Sequence, residues 1–278
     1  MKKILFLIAA IVLLCAAVSC SDDEPKRGNG VFTVNTPMIN HIVNTANGEV
    51  VGIANTHNKL VIDTVNHTAS LELNYNDGSD MTLKLNDLKA IPKRLLFYEL
   101  SSPSNSQFKG YVDFDEGSMR YTYTTEGGYR IISFTPEVFF FKTDNTLVYS
   151  DSTPNSKNDN VWYQFDIAPA NMTATVTVMD IVHVKDLKHF KNIIANSVPI
   201  TLTPNGFDIQ AQNLRTNAVY YSMLDSLGHN EKHTDKYPFK TFNATIDLAN
   251  DHLNATYMIG SDVTVTASGC TYPDYTSY

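Results

Sequence analysis

From Val31 onward the chain repeats its apolar residues with a period of two. Runs such as Thr173-Ala174-Thr175-Val176-Thr177-Val178 and Val263-Thr264-Val265-Thr266-Ala267 alternate polar and apolar positions, the spacing of a half-buried β-strand. Ala69, Leu71 and Leu73, then Met81, Leu83 and Leu85, then Tyr111, Val112 and Phe114 extend the pattern, and Asn76-Asp77-Gly78 and Glu126-Gly127-Gly128 punctuate it. These residues predict an all-β fold built from antiparallel strands. Helical spacing is confined to Asp186–Ala195, where Leu187, Phe190 and Ile194 would share one side and Asp186 suits a helix start, so one or two helical turns are expected there. Leu88–Leu100 is ambiguous, with Pro92 arguing against a helix running through it.

Asp151–Asn160, DSTPNSKNDN, is the most linker-like interior stretch. It divides the chain into a first β-domain over 31–150 and a second over 161–278, each of about 120 residues, room for seven to nine short strands in a barrel or a sandwich. Three segments recur in the same order on either side: NHTASLEL at Asn66 with NMTATVTV at Asn171, LKLNDLK at Leu83 with IQAQNLR at Ile209, and FKGYVDFDEGSMRYTY at Phe108 with FNATIDLANDHLNATY at Phe242. The preserved order points to tandem duplication; one continuous sandwich is the alternative. The 43% hydrophobic content is enough for one large core or two modest ones.

The N-terminus carries a different signal. Lys2 and Lys3 precede an uncharged apolar run, Ile4–Ala17, shorter than the roughly 20 residues a spanning helix needs, so residues 1–19 read as a cleaved signal peptide. The run ends in Ala17-Val18-Ser19-Cys20, which resembles the lipobox of bacterial lipoproteins and implies acylation at Cys20. Ser21-Asp22-Asp23-Glu24 resembles the acidic export tag of surface lipoproteins in Bacteroidetes-type bacteria and implies display on the outer leaflet of the outer membrane, the periplasmic face being the alternative. Residues 20–30 form a polar tether between lipid and fold. With Cys15 removed and Cys20 acylated, Cys270 has no intramolecular partner. The N-x-T-A strand and the F-x-x-x-φ-D-φ hairpin resemble calycin-like lipoproteins of the same bacterial group, a likeness that bears on fold alone.

Formal charge is −8, and loss of Lys2 and Lys3 makes the mature chain more acidic still. Lacking a basic cluster, it has no electrostatic reason to bind nucleic acid. HNEKH at His229–His233 departs from the H-E-x-x-H order of zinc hydrolases. NYNDGSD at Asn74–Asp80 and DFDEG at Asp113–Gly117 fit hairpin turns better than calcium loops, whereas Asp151–Asp159 could hold a cation weakly. No metal site or cofactor is expected. Asp113 and Asp247 occupy equivalent places in the repeats, so a structural role, accepting hydrogen bonds from backbone amides at strand ends, accounts for them better than paired-acid catalysis. A nucleophilic-serine elbow, a dinucleotide fingerprint and a phosphate-binding loop are all missing from the sequence.

The remaining candidates are aromatic: Trp162, Tyr220, Tyr221, Tyr272 and Tyr275 could stack on sugars at a glycan-binding surface. The expected function is a non-enzymatic surface lipoprotein that binds a glycan or a protein. A fimbrial or assembly subunit, released by cleavage near Arg27, and a surface hydrolase are the alternatives.

Overall fold

The computed structural model describes residues 30–75, 81–94, 96–115, 117–136, 140–143, 146–150, 153–158, 160–183, 188–222, 231–261 and 263–271. The signal peptide, Cys20, the acidic stretch Ser21–Glu24, and Tyr272 and Tyr275 lie outside them. Period-two alternation produces two antiparallel sheets. The first comprises β1 (Val31–Asn44), β2 (Val50–Asp63), β3 (Thr68–Tyr75), β4 (Met81–Arg94), β5 (Phe97–Ser101), β6 (Lys109–Asp113), β7 (Ser118–Thr124) and β8 (Tyr129–Phe134). Each pairs with the next, and β8 returns to β1 from Ile39↔Phe134 to Asn44↔Tyr129, closing an eight-stranded up-and-down barrel. Leu60 faces Leu71 and Ile62 faces Ala69 across β2 and β3, and all four are buried. Closure satisfies the edges that an open sheet of this size would expose.

The second sheet holds thirteen strands. They are β9 (Phe140–Thr143), β10 (Thr146–Ser150), β11 (Thr153–Asn158), β12 (Val161–Ala168), β13 (Thr173–His183), β14 (Lys188–Pro199), β15 (Thr201–Thr203), β16 (Gly206–Leu214), β17 (Thr216–Ser222), β18 (Glu231–Asp235), β19 (Phe239–Asp247), β20 (His252–Ile259) and β21 (Val263–Thr271). Pairing runs β15-β16-β19-β20-β21-β9-β12-β13-β14-β17-β18, with the β10–β11 hairpin attached to β21. Set against the barrel, β9-β12-β13-β14 repeats the order β1-β2-β3-β4 and β16-β19-β20-β21 repeats β5-β6-β7-β8. The β21–β9 pair corresponds to barrel closure. The hydrogen-bonded ring is interrupted between β14 and β16, and the hairpins β10–β11 and β17–β18 are additions. The chain is therefore two tandem related β-units, the first a closed barrel and the second an opened, decorated counterpart.

Of the three sequence repeats, two join equivalent strands, β3 with β13 and the β6–β7 hairpin with the β19–β20 hairpin. The middle one is displaced, since it aligns β4 with β16, whose topological counterpart is β5. Alternating strands offer several near-equal registers, and short polar-apolar runs do not choose among them.

Shared turn chemistry underlies the repeat. Asp63 Oδ1 accepts hydrogen bonds from the Val65 and Asn66 amides at 2.9 and 3.0 Å, and Oδ2 accepts one from Asn66 Nδ2 at 2.7 Å. Asp247 repeats this with Ala249 and Asn250, at 3.0, 3.0 and 2.8 Å. Both four-residue loops end in a left-handed residue, His67 and Asp251, each at φ 55°. Asp113 opens a third such loop, accepting the Asp115 amide at 3.0 Å, with Gly117 at φ 67°. Backbone recognition at strand ends is thus what Asp113 and Asp247 do.

Two expectations are corrected. Lys188–Pro199, which includes most of the expected helix, is strand β14. A bulge between Phe190 and Asn192 and a left-handed Ser197 break its alternation. The buried residues Phe190, Ile193, Ala195 and Val198 then fall three, two and three apart, imitating helical spacing. The expected linker contains β11, which pairs with β10 from Thr146↔Asn158 to Ser150↔Thr153. Asn158 also bonds both main-chain groups of Val182, at 2.7 and 3.2 Å, tying this hairpin to β13. The barrel ends at Phe134, and β9 and β10 already belong to the second sheet.

The two units share a core. Ile39, Ile132 and Phe134 point out of the barrel into the apolar cluster of the second sheet. Three polar side chains from the same barrel face reach its loops. His41 Nε2 lies 3.0 Å from the Thr203 carbonyl oxygen. Arg130 Nη2 donates to Pro204 O at 2.6 Å and to Asn205 Oδ1 at 3.2 Å. Arg120, 6% exposed, donates to the Leu248 carbonyl and pairs with the Asp251 carboxylate.

Candidate functional site

Across their central residues the strands β16, β19, β20 and β21 alternate buried and more exposed positions. Phe207, Ile209, Phe242, Ala244, Ala255, Tyr257, Val265 and Ala267 are buried, while Gln210, Asn243, Thr245, Asn254 and Thr256 are exposed. The tripeptide Asn-Ala-Thr occurs at 243–245 and again at 254–256. Antiparallel register sets Asn243 opposite Thr256, Ala244 opposite Ala255 and Thr245 opposite Asn254. Strand β16 adds Asp208 beside Thr245 and Gln210 beside Asn243.

Two polar rows therefore cross the sheet, about 7 Å apart because successive residues on one face are two positions removed. The residues between them turn inward and leave main chain as the floor. The result is a groove of ≈ 310 Å³. At its side the Asp208 Oδ1 atom is buried and has no hydrogen-bond partner. That oxygen is enclosed, so a ligand lying in the groove meets the exposed side chains of Gln210, Asn243, Thr245, Asn254 and Thr256. Amides and threonine hydroxyls both donate and accept, so the groove matches a neutral ligand rich in hydroxyl groups.

The aromatic candidates are dispersed. Tyr220 is 9% exposed. It belongs to a cluster in which its ring lies 5.5 Å from Phe190, 5.3 Å from Tyr237 and 5.0 Å from His233, stacked on the last. Lys188 Nζ caps the cluster, 5.1 Å from Tyr237 and 5.7 Å from Tyr220. Tyr220 is thus part of the core. Trp162 is half-buried, with Lys142 Nζ 5.5 Å from its ring, and half-buried Tyr221 sits beside His189. These two share a sheet face but stand three strands apart, about 14 Å, too far to clasp one sugar ring.

Titratable groups cluster elsewhere. His189 Nε2 and Lys191 Nζ flank Asp180 Oδ1 at 3.2 and 2.8 Å. Ser222 Oγ lies 2.7 Å from His233 Nε2. No group of three or more metal-ligating side chains occurs among the described residues, and His229 of the HNEKH stretch lies outside them. Asp208, Gln210 and the Asn-Ala-Thr residues were not singled out by sequence reasoning. The duplicated tripeptide was the available signal, and the register that brings its two copies face to face is what the sequence did not supply. No family model, curated protein or solved structure matches this chain.

Proposed function

We propose that the chain is exported, acylated at Cys20 and displayed on the outer face of the outer membrane, where its second β-unit binds a glycan without transforming it. The observation that carries this reading is the polar groove between the two rows that cross the paired Asn-Ala-Thr segments. Each hydrogen bond exchanged with water contributes only about 0.5–1.5 kcal/mol, so one groove holds a sugar weakly. Dense display on a membrane compensates, because neighbouring anchored copies engage a polymeric glycan together. The supported combination is therefore a weak polar groove and a lipid anchor. Screening the mature chain, clustered on a lipid-coated surface, against an array of bacterial and host glycans tests it. Binding to a defined set is expected, and silence across the array would sink the glycan reading.

The Ser222–His233 contact favours a second reading, hydrolysis by an activated serine. Its test is labelling by a fluorophosphonate probe. On the binding reading Ser222 stays unmodified; labelling that vanishes in Ser222→Ala would replace that reading with an enzymatic one. The fimbrial alternative needs an edge open to strand addition. The β18 edge, Glu-Lys-His-Thr-Asp, and the β11 segment with Pro154 carry the charges and proline that discourage such pairing, whereas the other outer strand, β15, offers only Thr-Leu-Thr.

A further inference from the structure

The point at which the tether joins the fold is fixed. Gly30 N donates to Thr64 Oγ1 at 3.0 Å, and Gly30 O accepts from the Thr64 amide at 3.1 Å and from its hydroxyl at 2.9 Å. The chain thus enters beside the β2–β3 turn, at the barrel end that also carries the start of β1, the β4–β5 turn and the β6–β7 turn. Five large apolar side chains are conspicuously exposed among the described residues: Val31 at 66%, Phe32 at 38%, Val51 at 46%, Val65 at 58% and Ile91 at 41%. Four belong to this end. Val31 lies opposite Asp63, Val65 is in the β2–β3 turn, and Ile91 follows Ala90, whose amide bonds the His67 carbonyl of that turn at 2.9 Å. Phe32 closes the mouth against Phe114, 5.5 Å away. Val51 stands at the opposite end. Exposed Lys89 lies beside the turn, but Asp63 and exposed Asp115 belong to the same end, so the apolar side chains of this end and not its charge suit it to a lipid surface.

We propose that this rim rests on the lipid surface as a second contact beside the acyl anchor, inserting Val31, Phe32, Val65 and Ile91 at the headgroup boundary. The inference rests on acylation at Cys20. Nine residues lie between Cys20 and Gly30, and even a fully extended chain of that length spans at most about 35 Å, so an acylated Cys20 keeps this end of the barrel near the bilayer. Exposed aliphatic and aromatic side chains at that distance partition favourably into the interface. Contact there would fix the orientation of the barrel relative to the bilayer.

The test places a nitroxide at the rim through V65C or at the far end through V51C, each in a C270S background. The mature acylated chain is incorporated into vesicles of equal parts phosphatidylcholine and phosphatidylglycerol. The label at 65 is expected to relax with lipid-dissolved oxygen and be shielded from an aqueous nickel chelate, with the reverse at 51. Equal aqueous exposure at both sites would overturn the proposal. In a second arm, unacylated mature chain carrying Cys20→Ala binds the same vesicles weakly. The V31S/V65S double substitution lowers that binding about tenfold, while V51S leaves it unchanged. No loss in the double variant, or an equal loss in V51S, contradicts the rim. Mass analysis of the chain from its native cell reads acylation separately, so a failed anchor and a failed rim give different results.

Discussion

His41 is buried at the junction of the two units, and its environment fixes its protonation state. The Thr203 carbonyl can only accept, so the imidazole proton sits on Nε2. Burial is the main cause that lowers its pKa to about 4, and the charge of Arg130 pushes the same way. The unfolded chain binds this proton near pH 6.5. Stability from the neutral ring is therefore complete above pH 6.5 and is lost as pH falls towards 4, in total about 3 kcal/mol. Urea midpoints measured between pH 7 and pH 4 should fall more steeply for the wild type than for His41→Gln; parallel slopes would refute this assignment. At the turns, Asp247→Ala removes three hydrogen bonds and should destabilise by about 1 kcal/mol, read as a lower thermal midpoint. The acidic turn residues were legible in the sequence because Asp and Asn before a left-handed position are local requirements. Asp208 was not, since its isolation depends on the register that β16 adopts against β19.

Strand β16 also shows what an element needs from its neighbours. A Cβ at Gly206 would overlap the carbonyl oxygen of Ile246, so the first residue of this strand tolerates no side chain. Gly206→Ala should cost about 2–3 kcal/mol through overpacking, measured as a reduced denaturation midpoint; an unchanged midpoint would mean that β16 approaches β19 less closely than described. Strand identity was readable wherever alternation ran unbroken, as in β12 and β20. It failed at β14 because a bulge inserts an extra residue into the count, and a bulge leaves no compositional mark. It failed at β11 because Ser, Asn and Pro read as loop, although the strand pairs with its immediate neighbour in sequence, β10.

At the scale of the whole molecule, the duplication was visible in the order of segments, and the way its halves differ was not. Closure of the first unit and opening of the second depend on long-range pairing between β8 and β1 and on the hairpins added around β14 and β21. Arg120 is the clearest link between the units. Arg120→Leu leaves the Leu248 carbonyl and Asp251 without their cation and should weaken docking by about 2 kcal/mol, a figure limited by the solvent around half-exposed Asp251. Denaturation followed separately by probes in each unit should then split into two transitions; continued coincidence would show that the shared apolar core alone couples them. Calorimetric titration of a glycan identified by array into the wild type, Asp208→Ala with Asn254→Ala, and Trp162→Ala tests whether the groove is the binding site. Binding should disappear in the groove double variant and persist in Trp162→Ala. Binding that survives the groove substitutions, or is lost with Trp162, would contradict the groove as the site.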